Sequence, residues 1–195
     1  MSKILFFIFM FISNSVYANL QNNIDIESVK SYMKSLKSIT ANFIQIDRRG
    51  ESQTGKFYLS RPGKMRWEYQ SPRELTIVLN NEKIYYYDKE LDQVSHYIGS
   101  YGMMNAFIED DIFASNNVVI ERFSSDESMT NVTFKGVEDA SRFTLVFNSN
   151  PLKILGCILE EASGNKVNLK FTSLTDHFNL DPSLFQLKQS LSPQR

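Results

Sequence analysis

The stretch that most restricts this chain is Gly55 to Tyr69, reading GKFYLSRPGKMRWEY. Phe57 and Leu59 fall on one side of a first run, and Met65, Trp67 and Tyr69 on one side of a second. A period of two places each set on a single face of a pleated strand. Arg61-Pro62-Gly63 between them supplies a turn, so the stretch reads as an antiparallel hairpin. Arg61 has the parity of Phe57 and Leu59, and Pro62 biases it toward an extended backbone. A guanidinium is thereby aimed at the rim of an apolar face.

The hairpin sits in a longer meander. Ile39 to Arg48 is rich in β-branched and aromatic residues, and Leu75, Ile77 and Leu79 alternate. Lys83 to Asp88 and Leu91 to Tyr97 add two more runs, with Asn80-Asn81-Glu82 as a turn. Beyond a polar loop around Ser124 to Ser128, strand-like runs resume at Asn131 to Lys135, Arg142 to Phe147, Lys153 to Glu160 and Lys166 to Leu174. Two stretches carry helical spacing instead. In Asp25 to Ile39 the stripe is Ile26, Val29, Met33 and Leu36, with acids first and lysines last, as the helix dipole favours. In Ser100 to Ser115 it is Met104, Phe107, Ile108 and Ile112. Leu180 to Phe185 reads as a short turn capped by Asp181 with Pro182 at its first position. The expected class is mainly β with helices, an antiparallel sheet of about 10–11 strands.

Charge and targeting narrow the partners. A net charge of −1 lacks the basic field that nucleic acid or an anionic membrane surface requires. Lys3 followed by the apolar run Ile4 to Ile12 and by Val16-Tyr17-Ala18 reads as a secretory signal, with cleavage expected between Ala18 and Asn19. That apolar run is far short of the roughly 20 residues a spanning helix needs. Residues 1–18 are thus expected to be removed, leaving 19–195 as one exported domain. The single cysteine, Cys157, lies in the apolar run Ile154 to Leu159 and reads as a small buried hydrophobe. It stands far from the cleavage point, where an acylated cysteine would have to be.

Reaction chemistry is hard to find. His96 and His177 are the two histidines, without acidic or cysteine neighbours at ligand spacing, and no metal or other cofactor is expected. Phosphate-loop, G-x-S-x-G and H-E-x-x-H motifs are absent. Glu109, Asp110 and Asp111 read as a solvated helix face rather than an acid/base pair. Met103 and Met104 suit either an adaptable apolar surface or ordinary core packing. A non-enzymatic binding protein is the expectation.

The residues carry a family resemblance. Phe43 and Gln45, then Gly55 and Leu59, Arg61-Pro62-Gly63, Trp67 and Tyr69, Pro72, Tyr87-Asp88, and Leu91 with Gln93 and Val94 resemble, in order, the LolA family of periplasmic lipoprotein carriers. Weaker similarity continues through Met103-Met104 to Leu180-Asp181-Pro182-Ser183-Leu184-Phe185. The resemblance implies an incomplete antiparallel β-barrel covering a hydrophobic cavity closed by a helical lid. Acyl chains of lipoproteins would occupy the cavity, with Phe43, Phe57, Leu59, Trp67, Tyr69, Leu75, Ile77, Met104 and Phe107 lining it. It further implies a monomer that takes cargo from an inner-membrane ABC transporter and delivers it to an outer-membrane receptor. Pro62 and Met65 would belong to a loop contacting the transporter. Arg61 would latch the lid in the empty form, against the plainer reading of a surface salt bridge. Rival readings are a carrier of another lipid or glycolipid on the same half-barrel, a stress-sensing regulator lacking its second domain, and an esterase lacking a nucleophile motif.

Overall fold

The computed structural model describes residues 24–81, 83–98, 108–138, 140–177 and 179–187. Helix α1 (Ile26–Ser35) leads into β1 (Ser38–Ile46), β2 (Ser52–Ser60), β3 (Lys64–Ser71), β4 (Leu75–Asn80), β5 (Lys83–Asp88) and β6 (Gln93–Ile98). A 3-10 turn at Ile112–Ala114 precedes β7 (Val118–Ser125), β8 (Met129–Gly136), β9 (Arg142–Asn148), β10 (Lys153–Glu160) and β11 (Lys166–His177). A last 3-10 turn covers Pro182–Phe185.

All eleven strands form one antiparallel sheet in the order β6-β5-β4-β3-β2-β1-β11-β10-β9-β8-β7. The first strand pairs with the last, while β6 and β7 end the sheet without pairing to each other. The sheet is therefore an unclosed barrel whose opening falls in the middle of the sequence. Register fixes which side chains share its inner face. One row runs Tyr97, Ile84, Leu79, Met65, Leu59, Ile39, and a second runs Ile77, Trp67, Phe57, Ala41. In the other half Val167, Leu159, Phe143, Phe134 and Ile120 form a third row. The core cluster is built mainly from these positions.

Two local devices shape that face. Gly55 lets strands approach where no side chain fits: a Cβ there would meet Glu68 O at 1.9 Å and the Phe43 ring at 2.8 Å. Helix α1 starts at Asp25, whose carboxylate accepts from Ser28 N at 2.7 Å. Its stripe of Val29, Met33 and Leu36 is buried against the sheet. On the outer face, Arg66 Nη1 donates to Leu184 O at 3.0 Å and Asn80 Nδ2 to Phe185 O at 3.3 Å. These bonds fasten the C-terminal turn where Phe185 and Val78 are both buried.

Two expectations need correction. The helix expected over Ser100 to Ser115 lies partly outside the described residues, and the rest is broken. Ile108 is helical, but the chain turns afresh at Ile112–Ala114 because the Asp111 carboxylate accepts from Phe113 N at 2.9 Å and caps a new start. The polar loop expected from Ser124 shrinks to the tight turn after Ser125, where Asp126 Oδ1 accepts from Ser128 N and Met129 N, both at 2.8 Å. Before it stands β7, a strand that the sequence reading did not identify.

Candidate functional site: an apolar cavity between the two halves of the sheet

An apolar cavity of about 240 Å³ opens on the inner face of the sheet. Strands of both halves wall it: Met65, Trp67, Tyr69, Ile77, Leu79, Ile84 and Tyr86 from one, Phe143, Cys157, Leu159, Val167 and Leu169 from the other. Gln45 of β1 is the polar member of the wall and accepts from Tyr69 Oη at 2.9 Å. Burial pushes the Tyr69 phenol and the Cys157 thiol each up to about 12, so both stay protonated and uncharged at neutral pH. Trp67 Nε1 is buried without a hydrogen-bond partner among the described residues. The cavity thus offers surface for alkyl chains, with its one thiol held protonated. Among the described residues, no group of His, Cys, Asp or Glu is gathered to hold a metal.

Of the residues expected to line it, Trp67, Tyr69 and Ile77 do. Phe43, Phe57 and Leu59 do not. They are buried in the cluster that includes Val29 and Met33 of α1, so packed side chains rather than open space cover that part of the sheet. Phe43 and Phe57 instead buttress the wall edge-on to Trp67, with ring centroids at 5.5 and 4.8 Å. Leu75, opposite Tyr69 at the start of β4, is half-buried and also outside the wall. Met104, Phe107 and the Ala18–Asn19 bond lie outside the described residues. Met65, expected in a partner-facing loop, is within β3 on the inner face, buried, and part of the cavity wall. Period two puts it there with Trp67, and Pro62 is the exposed member of that pair. The wall of the C-terminal half was missed at the sequence level. Its signal was present in the alternation of Val167, Leu169 and Phe171, but β1–β11 pairing was needed to bring it across.

A cluster of bonds surrounds the β2–β3 turn. Arg61 is 8% exposed, and its Nη1 donates to Met33 O at 2.8 Å and Leu36 O at 3.3 Å. These are carbonyls at the C-terminal end of α1, where the helix carries partial negative charge. Arg61 N also donates to Lys37 O at 2.8 Å. Gly63, with φ +79 that a side chain would resist, donates its N–H to Ile108 O at 3.0 Å. Lys37 Nζ and Asp110 Oδ1, 2.6 Å apart, join the link after α1 to the segment that holds Ile108. Burial pulls the Arg61 guanidinium down to about 10, with Asp110 and Asp111 acting the other way, so it remains charged at neutral pH. In the other half of the sheet, the Tyr32 hydroxyl accepts from Ile154 N of β10 at 3.0 Å, and its ring meets Phe147 edge-on at 6.0 Å. Helix α1 is therefore tied to both halves of the sheet.

Comparison with known proteins bears on what this arrangement serves. The family model described as outer membrane lipoprotein carrier protein LolA matches residues 34–188. An outer-membrane lipoprotein carrier protein of Methylococcus capsulatus strain Bath is 30% identical over 170 residues, covering 81% of this chain and 80% of its own length. One from Legionella pneumophila strain Corby is 26% identical over 198 residues, covering 96% and 95%. The fold is similar to the crystal structure of an uncharacterized conserved protein from Thermus thermophilus, with a TM-score of 0.53 at 11% identity over 84% of this chain and 93% of that one.

Proposed function

The chain belongs to the LolA family of outer membrane lipoprotein carrier proteins, and on that premise we propose that it is a non-enzymatic periplasmic carrier of acylated lipoproteins. It takes them from an inner-membrane ABC transporter and passes them to an outer-membrane receptor. Resemblance supports the compartment and both partners. The observation that carries the reading is an apolar cavity walled by both halves of the sheet, beside a region where Arg61 pins α1 by its carbonyls.

Magnitudes explain why such a protein needs a lid. Burying a methylene is worth about 0.8 kcal/mol, so a chain of roughly 15 carbons represents about 12 kcal/mol. Three chains would total about 36, above the practical ceiling near 20 for noncovalent binding. A cavity that matched hydrocarbon would never release its cargo. The closed cavity also falls short of the cargo. A dry cavity of about 150 Å³ takes one benzene, so in proportion this one holds about ten carbons, less than a single chain. Loading therefore requires the cavity to widen, which on this reading α1 brings about by moving off the sheet. Every kilocalorie that holds the helix shut is subtracted from cargo affinity, since a ligand binds only the competent state. Arg61 and Tyr32 set that offset, which lets cargo pass onward.

Depletion in the source organism tests the reading directly. Lipoproteins are expected to accumulate in the inner membrane, and mass spectrometry of protein taken from the periplasm is expected to find bound lipoprotein. Normal lipoprotein sorting after depletion, or a co-purified free lipid or glycolipid in place of lipoprotein, refutes it.

A further inference from the structure

The sheet ends in two strands whose outer edges are built differently. An unpaired edge is a template for any extended chain, and natural sheets blunt it with charge, proline or bulges. β7 is blunted in this way. Its register pairs Ile120 with Phe134 and Arg122 with Thr133, which leaves Glu121 as a bulge beside a second charged residue. Arg142 of β9 holds that bulge, with Nε donating to Glu121 Oε2 at 2.7 Å and Nη2 to Oε1 at 3.0 Å. β6 has none of these devices. Its sequence, QVSHYI, contains no Asp, Glu, Lys, Arg or Pro, and its pairing with β5 runs without a bulge from Gln93–Asp88 to Ile98–Lys83. Gln93 to Tyr97 are all exposed.

The ladder fixes which groups this edge holds out. Asn80 and Lys83 close the tight hairpin between β4 and β5, so they are a hydrogen-bonded pair. Alternation along β5 then turns the backbone groups of Ile84, Tyr86 and Asp88 toward β6, where Tyr97, Ser95 and Gln93 answer them. The N–H and C=O groups of Val94 and His96 therefore point away from β5, out of the sheet. Among the described residues no backbone group outside β5 bonds to either. β6 also stands next to the cavity wall, since β4 and β5 supply Ile77, Leu79, Ile84 and Tyr86 to it.

We propose that the outer edge of β6 takes the polypeptide of the cargo, the extended residues that follow its acylated end, as an added strand bonded to Val94 and His96. The proposal rests on the carrier reading above. Lipid and polypeptide of such a cargo join at one residue, so the polypeptide begins at the border of the cavity. The size of the edge favours this occupant. A strand of 6 residues is a strip about 20 Å long, short of the roughly 1,000 Å² that a stable contact between folded surfaces needs, a second copy of this chain included. A segment already tethered by its acyl chains escapes that limit, because its effective concentration is about millimolar. Main-chain pairing is also indifferent to most of the partner's sequence, which suits a carrier of different proteins.

The test uses full-length mature protein and three probes. They are a tripalmitoylated cysteine amide, the same lipid with a tail of about ten serine and threonine residues, and that tail N-methylated at every amide, so that it reaches equally far without donors. The plain tail is expected to tighten binding about tenfold over the tail-less lipid, and the methylated tail to add nothing. Amide exchange at Val94 and His96 is expected to slow at least about tenfold when the plain-tailed probe binds. Val94→Pro removes an N–H that β5 does not use and is expected to bind all three probes like the tail-less one. Should that variant fail to fold, the methylated tail on the wild type decides alone. Equal affinity for plain and methylated tails overturns the strand, as does unchanged exchange at Val94 and His96. A dimer of the unloaded protein that Val94→Pro dissolves assigns the edge to a second copy and overturns it too. Failure of the wild type to bind the tail-less lipid overturns the carrier reading itself, a result distinct from the others.

Discussion

Replacing Arg61 by leucine isolates the bond that holds α1 to the sheet. The charged Nη1 donates to two carbonyls, at 2.8 and 3.3 Å. Charge-assisted bonds contribute about 1.5–3 kcal/mol each, and the longer one counts at the low end, giving about 4 in total. Against this, holding the guanidinium at a pKa of about 10 rather than 12.5 costs about 3 kcal/mol. The closed state keeps about 1 kcal/mol. Leucine removes both terms, leaves Met33 O and Leu36 O without that donor at about 1–3 kcal/mol, and regains a similar amount by apolar burial. The last two amounts cancel, so the net shift toward opening is about 1 kcal/mol, about a fivefold change in the open fraction. Cys157, the chain's single cysteine and a cavity-wall residue with its thiol pushed up to about 12, reports that fraction. Its alkylation rate tracks opening when opening and closing outpace the reagent. Arg61→Leu is expected to alkylate about fivefold faster than wild type with little change in urea midpoint, and to retain cargo in a transfer assay. An unchanged alkylation rate together with normal onward transfer would refute the latch.

Three further perturbations probe the same assembly. Tyr32→Phe strands the Ile154 N–H and is expected to loosen closure by about 1 kcal/mol, read as faster exchange of that one amide; exchange at the wild-type rate argues against Tyr32 as a tie. Gly55→Ala forces a Cβ into Glu68 O and the Phe43 ring and is expected to cost about 3 kcal/mol in urea unfolding, so a stability equal to wild type contradicts this close strand packing. The Lys37 hydrogen bond holds the Asp110 carboxyl below its ordinary range, so its contribution is complete above about pH 4 and disappears as pH falls through the lowered value. Acrylamide quenching of Trp67, the chain's single tryptophan, is accordingly expected to be flat from pH 7 to 5 and to rise below about 4, and Lys37→Met to remove that rise.

Alternation made the first half of the sheet legible. Phe57, Leu59, Met65 and Trp67 all turned inward as their parity required, and Arg61 with them. The same arithmetic hid β7, because the extra residue Glu121 breaks the period within a run of eight and most of the strand is exposed. The cavity was half legible for a different reason. Trp67, Tyr69 and Ile77 lie close together in sequence, whereas Phe143, Cys157 and Leu169 reach the same space only through pairing of the first strand with the last. Local pattern carries no trace of that seam. Met65 shows the limit of reasoning from a resemblance: a role in a loop was assigned to a residue whose own parity buries it in the wall.

Pairing of β1 with β11 also governs how the chain can come to exist. Thr40 meets Thr175 and Phe43 meets Phe171, contacts between the two ends of the polypeptide, so the seam forms only after nearly every residue is available. Such long-range pairing is slow, since loop closure precedes any reward. Until β11 arrives, β1 is a bare edge and the inner rows of both halves face solvent. A chain halted before Lys166 leaves two curved sheets with nothing to join them, and the cavity does not exist in either. The binding site is therefore the last thing the molecule acquires.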